Sequence, residues 1–205
     1  EGVSALNGVQ LFFHGLDMLR AGLKKGDDVQ GVILDGGKIP NVIPEKSTAY
    51  IYLRAKTLNR LVELKKKVEQ CAKGCALAVD NKYDYSQRNP DYAEVFVGQK
   101  EKEIVCGVMD ELGLEWSIAD EPRGSSDIGN LDTMIPVFNP MISTGVEEIK
   151  LYSKEFAELM KTEKGTYVME TGAKVMAKII EKMAFEKGLL EEVEKEHKIY
   201  RSNII

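Results

Sequence analysis

From Ser4 to Lys24 apolar residues recur at Leu6, Val9, Phe13, Leu16, Leu19 and Leu23, spaced by threes and fours, which predicts a helix with one apolar stripe. Ser4 is its expected N-cap, and Gly26-Asp27-Asp28 ends it. Val29 to Leu34 and Ala49 to Leu53 are β-branched or aromatic and too short for helices, so each predicts a strand. After Arg54 the helical spacing returns at Leu58, Leu61, Val68 and Cys75, predicting a helix to about Val79. Lys82 to Tyr85 then alternates like a short strand.

Asn89-Pro90 marks a boundary, because the residue before a proline is pushed out of the helical region. Beyond it, Asp91 to Leu112 reads as a helix ended by Gly113, Leu114 to Ala119 as a strand, and Met134 to Ile142 as a strand bent by Pro136 and Pro140. Ser153 is the expected N-cap of a helix running to Met160. Thr166 to Phe185 is amphipathic, with Val168, Gly172, Val175, Met176, Ile179 and Met183 on its buried face. Gly188 to Ile205 is charged and reads as a loose helical tail, with His197 solvated among Lys and Glu. The fold class is α/β (α+β). Helix, strand, strand, helix, strand in the first part is the order of a ferredoxin-like sandwich lacking its first strand. The divisions fall at 1–88, 89–185 and 186–205.

With 205 residues, 43% hydrophobic and 30% charged, the chain has the composition of a folded globular protein. A formal net charge of −5 gives nucleic acid or an anionic membrane no electrostatic footing as a partner. No apolar run spans a bilayer, and the N-terminus lacks a basic region followed by an apolar one, so a cytoplasmic location is expected. Cys71, Cys75 and Cys106 form neither an even disulfide set nor a zinc spacing with a nearby histidine. Cys71 and Cys75 share a helix face and are expected to pack as small apolar residues. His14 lies in the first helix and reads as structural, and Lys65-Lys66-Lys67 is the solvated side of the second.

The loop between the two strands carries the first candidate chemistry. It reads Gly36-Gly37-Lys38-Ile39-Pro40-Asn41-Val42-Ile43-Pro44, and the strand after it ends in Arg54. Glycines permit positive φ and prolines fix φ, so the loop is expected to be stiff and to hold Asn41 still. An amide beside a guanidinium suits a carboxylate. Taken alone, the same residues fit a loop-capping Asn41 and an Arg54 paired with a surface acid.

This Asn-to-Arg pattern resembles the lid, or dimerisation, domain of the metal-dependent amidohydrolases of peptidase family M-twenty, in the branch of aminoacylases, aminobenzoyl-glutamate hydrolases and dipeptide hydrolases. The likeness runs from Glu1 to about Met183. It implies that 1–88 is the lid, 89–185 the C-terminal part of the catalytic domain, and Asn41 and Arg54 the residues contacting the substrate carboxylate. A second stretch, Arg123-Gly-Ser-Ser-Asp-Ile-Gly-Asn130, is similar to the loop lining that family's catalytic cleft, which nominates Ser125, Ser126 and Asp127. On structural grounds alone Asp127 would cap the next turn.

The resemblance implies amide hydrolysis assisted by two divalent ions, zinc, cobalt or manganese, with a Glu accepting the proton of the bridging water. The ligands are expected upstream of Glu1, together with the missing first strand and a histidine that contacts the reacting carbonyl. Only His14 and His197 are present, and no metal site can be assembled from this chain. Where the family has its last ligand, a histidine before a Ser/Thr-x-Glu-Phe helix start, this chain has Tyr152, a phenol that ionises far above neutral pH. The expectation is thus the C-terminal half of an amidohydrolase cleaving N-acyl amino acids or dipeptides. Its partners would be a small carboxylate substrate and either a second copy or a separate N-terminal half. The alternatives are a non-catalytic lid or assembly module and a carboxylate-binding regulator.

Overall fold

Helix α1 (Ala5–Arg20) turns Phe12 and Leu16 inward, where they meet Val29 of strand β1 (Asp28–Asp35) and Leu64 and Val68 of helix α2 (Leu58–Ala78). Strand β2 (Thr48–Arg54) completes this layer, packing Ile51 and Leu53 on the same cluster. The structure, a computed structural model, describes residues 2–119, 124–146 and 148–202. The chain divides into two compact units, Glu1–Glu94 and Val95–Ile205.

In the first unit β1 and β2 form an antiparallel ribbon in which Asp28 faces Arg54, Val32 faces Tyr50 and Asp35 faces Thr48, with an irregularity between Ile33 and Asp35. Both helices cover one side of it. Arg20, at the end of α1, donates through Nε and Nη2 to the Val29 carbonyl at 3.1 and 2.8 Å, fixing that end of the helix to the start of β1. At the other end, Ala5 N–H donates to the Pro44 carbonyl at 2.9 Å, which ties the 36–47 loop to the first turn of α1. Gly37 sits in that loop at φ +108°, and a Cβ there would lie 2.8 Å from the Pro44 ring, so both its backbone and its neighbour require glycine. Thr57 caps α2 by accepting from Arg60 N–H at 3.2 Å. Cys71 and Cys75 pack against this core as free thiols, and burial pushes Cys71 up to about 11.

The second unit is built from helices α3 (Gln99–Glu111), α4 (Ile128–Asp132), α5 (Lys154–Leu159), α6 (Glu163–Phe185) and α7 (Leu189–Ser202). Its core joins Ile104, Val108 and Met109 of α3 to Val175 and Ile179 of α6 and Val193 of α7. Ser153 caps α5 through a 3.0 Å bond from Phe156 N–H, as the sequence predicts.

Mixed helix and sheet hold, with one two-stranded sheet among the described residues. Three expected strands are absent there. Residues 82–85, 114–119 and 134–142 join no strand ladder among the described residues, the Leu114, Met134 and Ile135 N–H groups donating instead to the Met109 and Leu131 carbonyls of the preceding turns, and an alternating pattern becomes a strand only when a ladder partner is at hand. In 114–119 the Trp116 indole donates instead to Asp110 on the last turn of α3, at 2.8 Å. The helix predicted from Asp91 starts only at Gln99. Asp91 is engaged by Lys65 at 2.7 Å, and Glu94 accepts from Leu58 N–H at 2.8 Å, so the acids that would open such a helix are bonded elsewhere. The expected loose tail is an ordered helix, because α7 carries Val193 and His197, both almost fully buried, four residues apart on one face. No helix among the described residues is long and apolar enough to cross a membrane.

Candidate functional site

The irregular loop that presents Asn41 and the strand end that presents Arg54 lie at opposite ends of the ribbon. Arg54 is paired with Asp28, the first residue of β1, whereas the loop leaves from Asp35 and returns at Thr48. Six strand steps separate Thr48 from Arg54, about 20 Å. The two ends of α1 repeat the same polarity, its first turn bonded to the loop and Arg20 to the start of β1. Within one chain the two residues are thus carried by opposite ends of the ribbon. Prolines and glycines set the stiffness of the loop, but which end of the ribbon carries each residue is a property of the hairpin register.

What Arg54 does meet is an aromatic ring. Its guanidinium carbon stands 5.2 Å from the centre of the Tyr52 ring, and no carboxylate among the described residues pairs with it. Asp28, directly across the ribbon, is turned to Gln30, whose Nε2 donates to Oδ2 at 2.7 Å. Asn41 is exposed within a turn closed by Val42 N–H donating to the Ile39 carbonyl at 3.1 Å.

In the second unit Ser125, Ser126 and Asp127 are exposed at the start of the five-residue helix α4. Ser126 Oγ accepts from Ile128 N–H at 3.4 Å, while Asp127 occupies the N-cap position without using its carboxylate as a cap. That carboxylate has no donor among the described residues. Arg123, the first residue of the motif, lies outside the described residues. Tyr152 is fully exposed and holds φ at +66°, a left-handed backbone rarely adopted by a side chain of its size.

Sequence reasoning missed the most constrained polar cluster, which lies just behind this motif. Asp132, the last residue of α4, is fully buried. Its Oδ2 accepts from Phe96 N–H at 2.8 Å and from Arg201 Nη2, and its carbonyl accepts from Arg201 Nε at 3.0 Å and from His197 Nε2 at 2.6 Å. His197 Nε2 also lies 3.2 Å from Oδ1, but its single proton is directed to the closer carbonyl, so Oδ1 is left without a donor. Phe96 stacks on Tyr200 of the same helix with ring centres 3.8 Å apart. His197, expected in solvent, is only 4% exposed. A signal was available in the sequence, since Leu189, Val193, His197 and Tyr200 recur at helical spacing.

Beside this cluster, Glu101 is 3% exposed. Burial, opposed by a 2.8 Å bond from Gly98 N–H and aided by the Asp132 and Glu196 carboxylates, pushes its carboxyl up to about 7. Glu196, from α7, accepts from Gln99 and Lys100 N–H at 2.8 and 2.9 Å and so places negative charge at the N-terminus of α3.

Among the described residues no three His, Cys, Asp or Glu side chains converge as a metal site requires. His14 is exposed on α1, and His197 is committed to Asp132. These residues do not fit a divalent ion.

No family model matches the chain. Two curated proteins do: an Xaa-Arg dipeptidase of Mus musculus, 30% identical over 206 residues, and an Xaa-Arg dipeptidase of Homo sapiens, 27% identical over 203 residues. Each comparison covers 97% of this chain, but only 47% of the mouse protein and 46% of the human one. The chain spans about half the length of the curated relatives it matches.

Proposed function

We propose that this chain, a relative of the dipeptidases of peptidase family M-twenty, serves as the substrate-holding and cleft-lining portion of an amide-cleaving hydrolase acting on dipeptides or N-acyl amino acids. The observation that carries this reading is the similarity to two dipeptidases along 97% of its length. Arg54 holds the substrate carboxylate, and Ser125, Ser126 and Asp127 line the cleft. The acid-free Arg54 guanidinium and the uncapped Asp127 carboxylate support those roles.

The divalent ions and the water-activating base belong, on this proposal, to a polypeptide segment equivalent to the other half of the relatives' length. Met169, Met176 and Ile180 form a stripe on α6 that is 67, 60 and 66% exposed, a surface suited to being covered by such a segment or by a second copy. The decisive experiment joins this chain to the metal-binding portion of a related dipeptidase. Dipeptides and N-acyl amino acids are then assayed with zinc, cobalt or manganese. Turnover that falls at least tenfold in Arg54→Ala is expected, and no turnover with any ion would end the proposal.

A second reading is a non-catalytic assembly or carboxylate-binding module. The acid-free, exposed Arg54 guanidinium over the Tyr52 ring is the observation behind it, since a carboxylate grip needs no metal. It predicts carboxylate binding, weakened by Arg54→Ala, without hydrolysis in the joined protein.

A further inference from the structure

The side of the ribbon opposite α1 and α2 bears two guanidinium groups over two tyrosine rings. Arg54 Cζ is 5.2 Å from the centre of Tyr52, and Arg88 Cζ is 5.0 Å from the centre of Tyr50. Ile51 and Leu53 point to the core, so Tyr50, Tyr52 and Arg54 alternate onto the opposite side, with the two rings anchored about 7 Å apart. A guanidinium stacked on a ring uses its face and leaves its rim of N–H donors free. No carboxylate among the described residues pairs with either one.

Arg88 is held from both sides along the chain. Gln87 Nε2 donates to the Asn89 carbonyl at 2.6 Å and to Asp91 Oδ1 at 3.1 Å, and Lys65 Nζ on α2 donates to Gln87 Oε1 at 2.9 Å and Asp91 Oδ2 at 2.7 Å. The segment carrying Arg88 is thereby fastened to α2, and Arg88 reaches across to Tyr50. Long exposed side chains lose entropy when a ligand fixes them, and stacking on a ring removes part of that cost in advance.

We propose that Arg54 and Arg88 form a paired anion site for a ligand carrying two carboxylates about three carbons apart, such as a substrate whose carboxyl end is an acidic amino acid. This rests on the reading of Arg54 given above and adds Arg88 and the ligand's second charge. Each carboxylate accepts from the rim of one guanidinium, in the side-on geometry that arginine favours. The same pair disfavours a ligand bearing an arginine side chain, so the specificity departs from the one in the name of the mouse and human relatives.

The test is a titration of the full chain with glutarate and with monomethyl glutarate at fixed ionic strength, followed by calorimetry or by amide chemical shifts. Glutarate should bind roughly fivefold more tightly, as expected for one added solvent-exposed ion pair. Arg88→Gln should abolish the preference, bringing glutarate to the level of the monoester. Arg54→Gln should weaken both. Equal affinity for the two ligands in the unaltered chain, or a preference that survives Arg88→Gln, overturns the paired site while the role of Arg54 stands. No binding of either ligand removes both. Arg54 and Arg88 are exposed, and helical circular dichroism establishes that each variant folds.

Discussion

Arg60 grips Asp27 across 33 residues of sequence, its Nε 3.2 and 3.1 Å from the two carboxylate oxygens and its Nη2 2.6 Å from Oδ2. The contact joins the first turn of α2 to the turn before β1, and the Asp27 side chain is only 2% exposed. The guanidinium of Arg60 holds the Asp27 carboxyl below its ordinary range, with a further contribution from Lys24 N–H at 3.0 Å. The folded state thus favours the charged carboxylate. Its stabilisation is full above the ordinary carboxylate value and is lost as pH falls through the depressed one. Arg60→Ala should lower the melting temperature at pH 7 by several degrees, on the order of 5 °C. The difference from the unaltered protein should shrink below pH 4, and a melting series from pH 2 to pH 8 measures both.

Glu101 works in the other direction. Its carboxyl is pushed up to about 7, so between the ordinary carboxylate value and neutrality the folded chain holds a proton that the unfolded chain has released. That contribution to stability is complete in acid and declines as pH rises towards 7. Glu101→Gln keeps the uncharged shape and should be more stable than the parent above pH 7, by roughly 2–3 kcal/mol. The advantage should vanish near pH 4. Urea unfolding at the two pH values decides it.

Arg201→Ala should cost about 3 kcal/mol, because it takes a donor from the fully buried Asp132 carboxylate and leaves the charge in place. Replacing Asp132 by Asn in the same background should recover part of the loss, since the stranded charge is then gone. Chemical denaturation of the single and double variants reads the coupling directly.

Tyr152 offers a backbone test with little packing at stake, because its side chain is fully exposed. Asn tolerates the left-handed region, whereas a β-branched side chain does not. Tyr152→Asn should be neutral or slightly stabilising, and Tyr152→Val should cost about 1 kcal/mol. Equal melting temperatures for the two variants would contradict the assigned backbone angle.

Elements whose stability comes from a neighbouring turn or an adjacent strand were legible in the chain. The stripes of α1, α2 and α6, the hairpin between them and the Ser153 cap all follow from spacing and local chemistry. Features decided by distant partners were not. Asp91 and Glu94 look like the opening acids of a helix until Lys65 and the Leu58 amide claim them. His197 looks solvated among Lys and Glu because its partner, the Asp132 carbonyl, is 65 residues away. The motif Ser125 to Asp127 was visible as composition, but that Ser126 and not Asp127 accepts from the first turn of α4 depends on side-chain rotation. Asn41 and Arg54 belonged to one recognisable pattern, yet the register Asp28 to Arg54 sends them to different ends of the ribbon.

The hold that α7 has on Asp132 makes this helix a mooring for the Gly-Ser-Ser-Asp segment. Shortening the chain by its last turn would cut Arg201 from that mooring and let the serines drift, even though every residue of the motif were intact. The position of the serines is in this way set by a helix some seventy residues further along the chain.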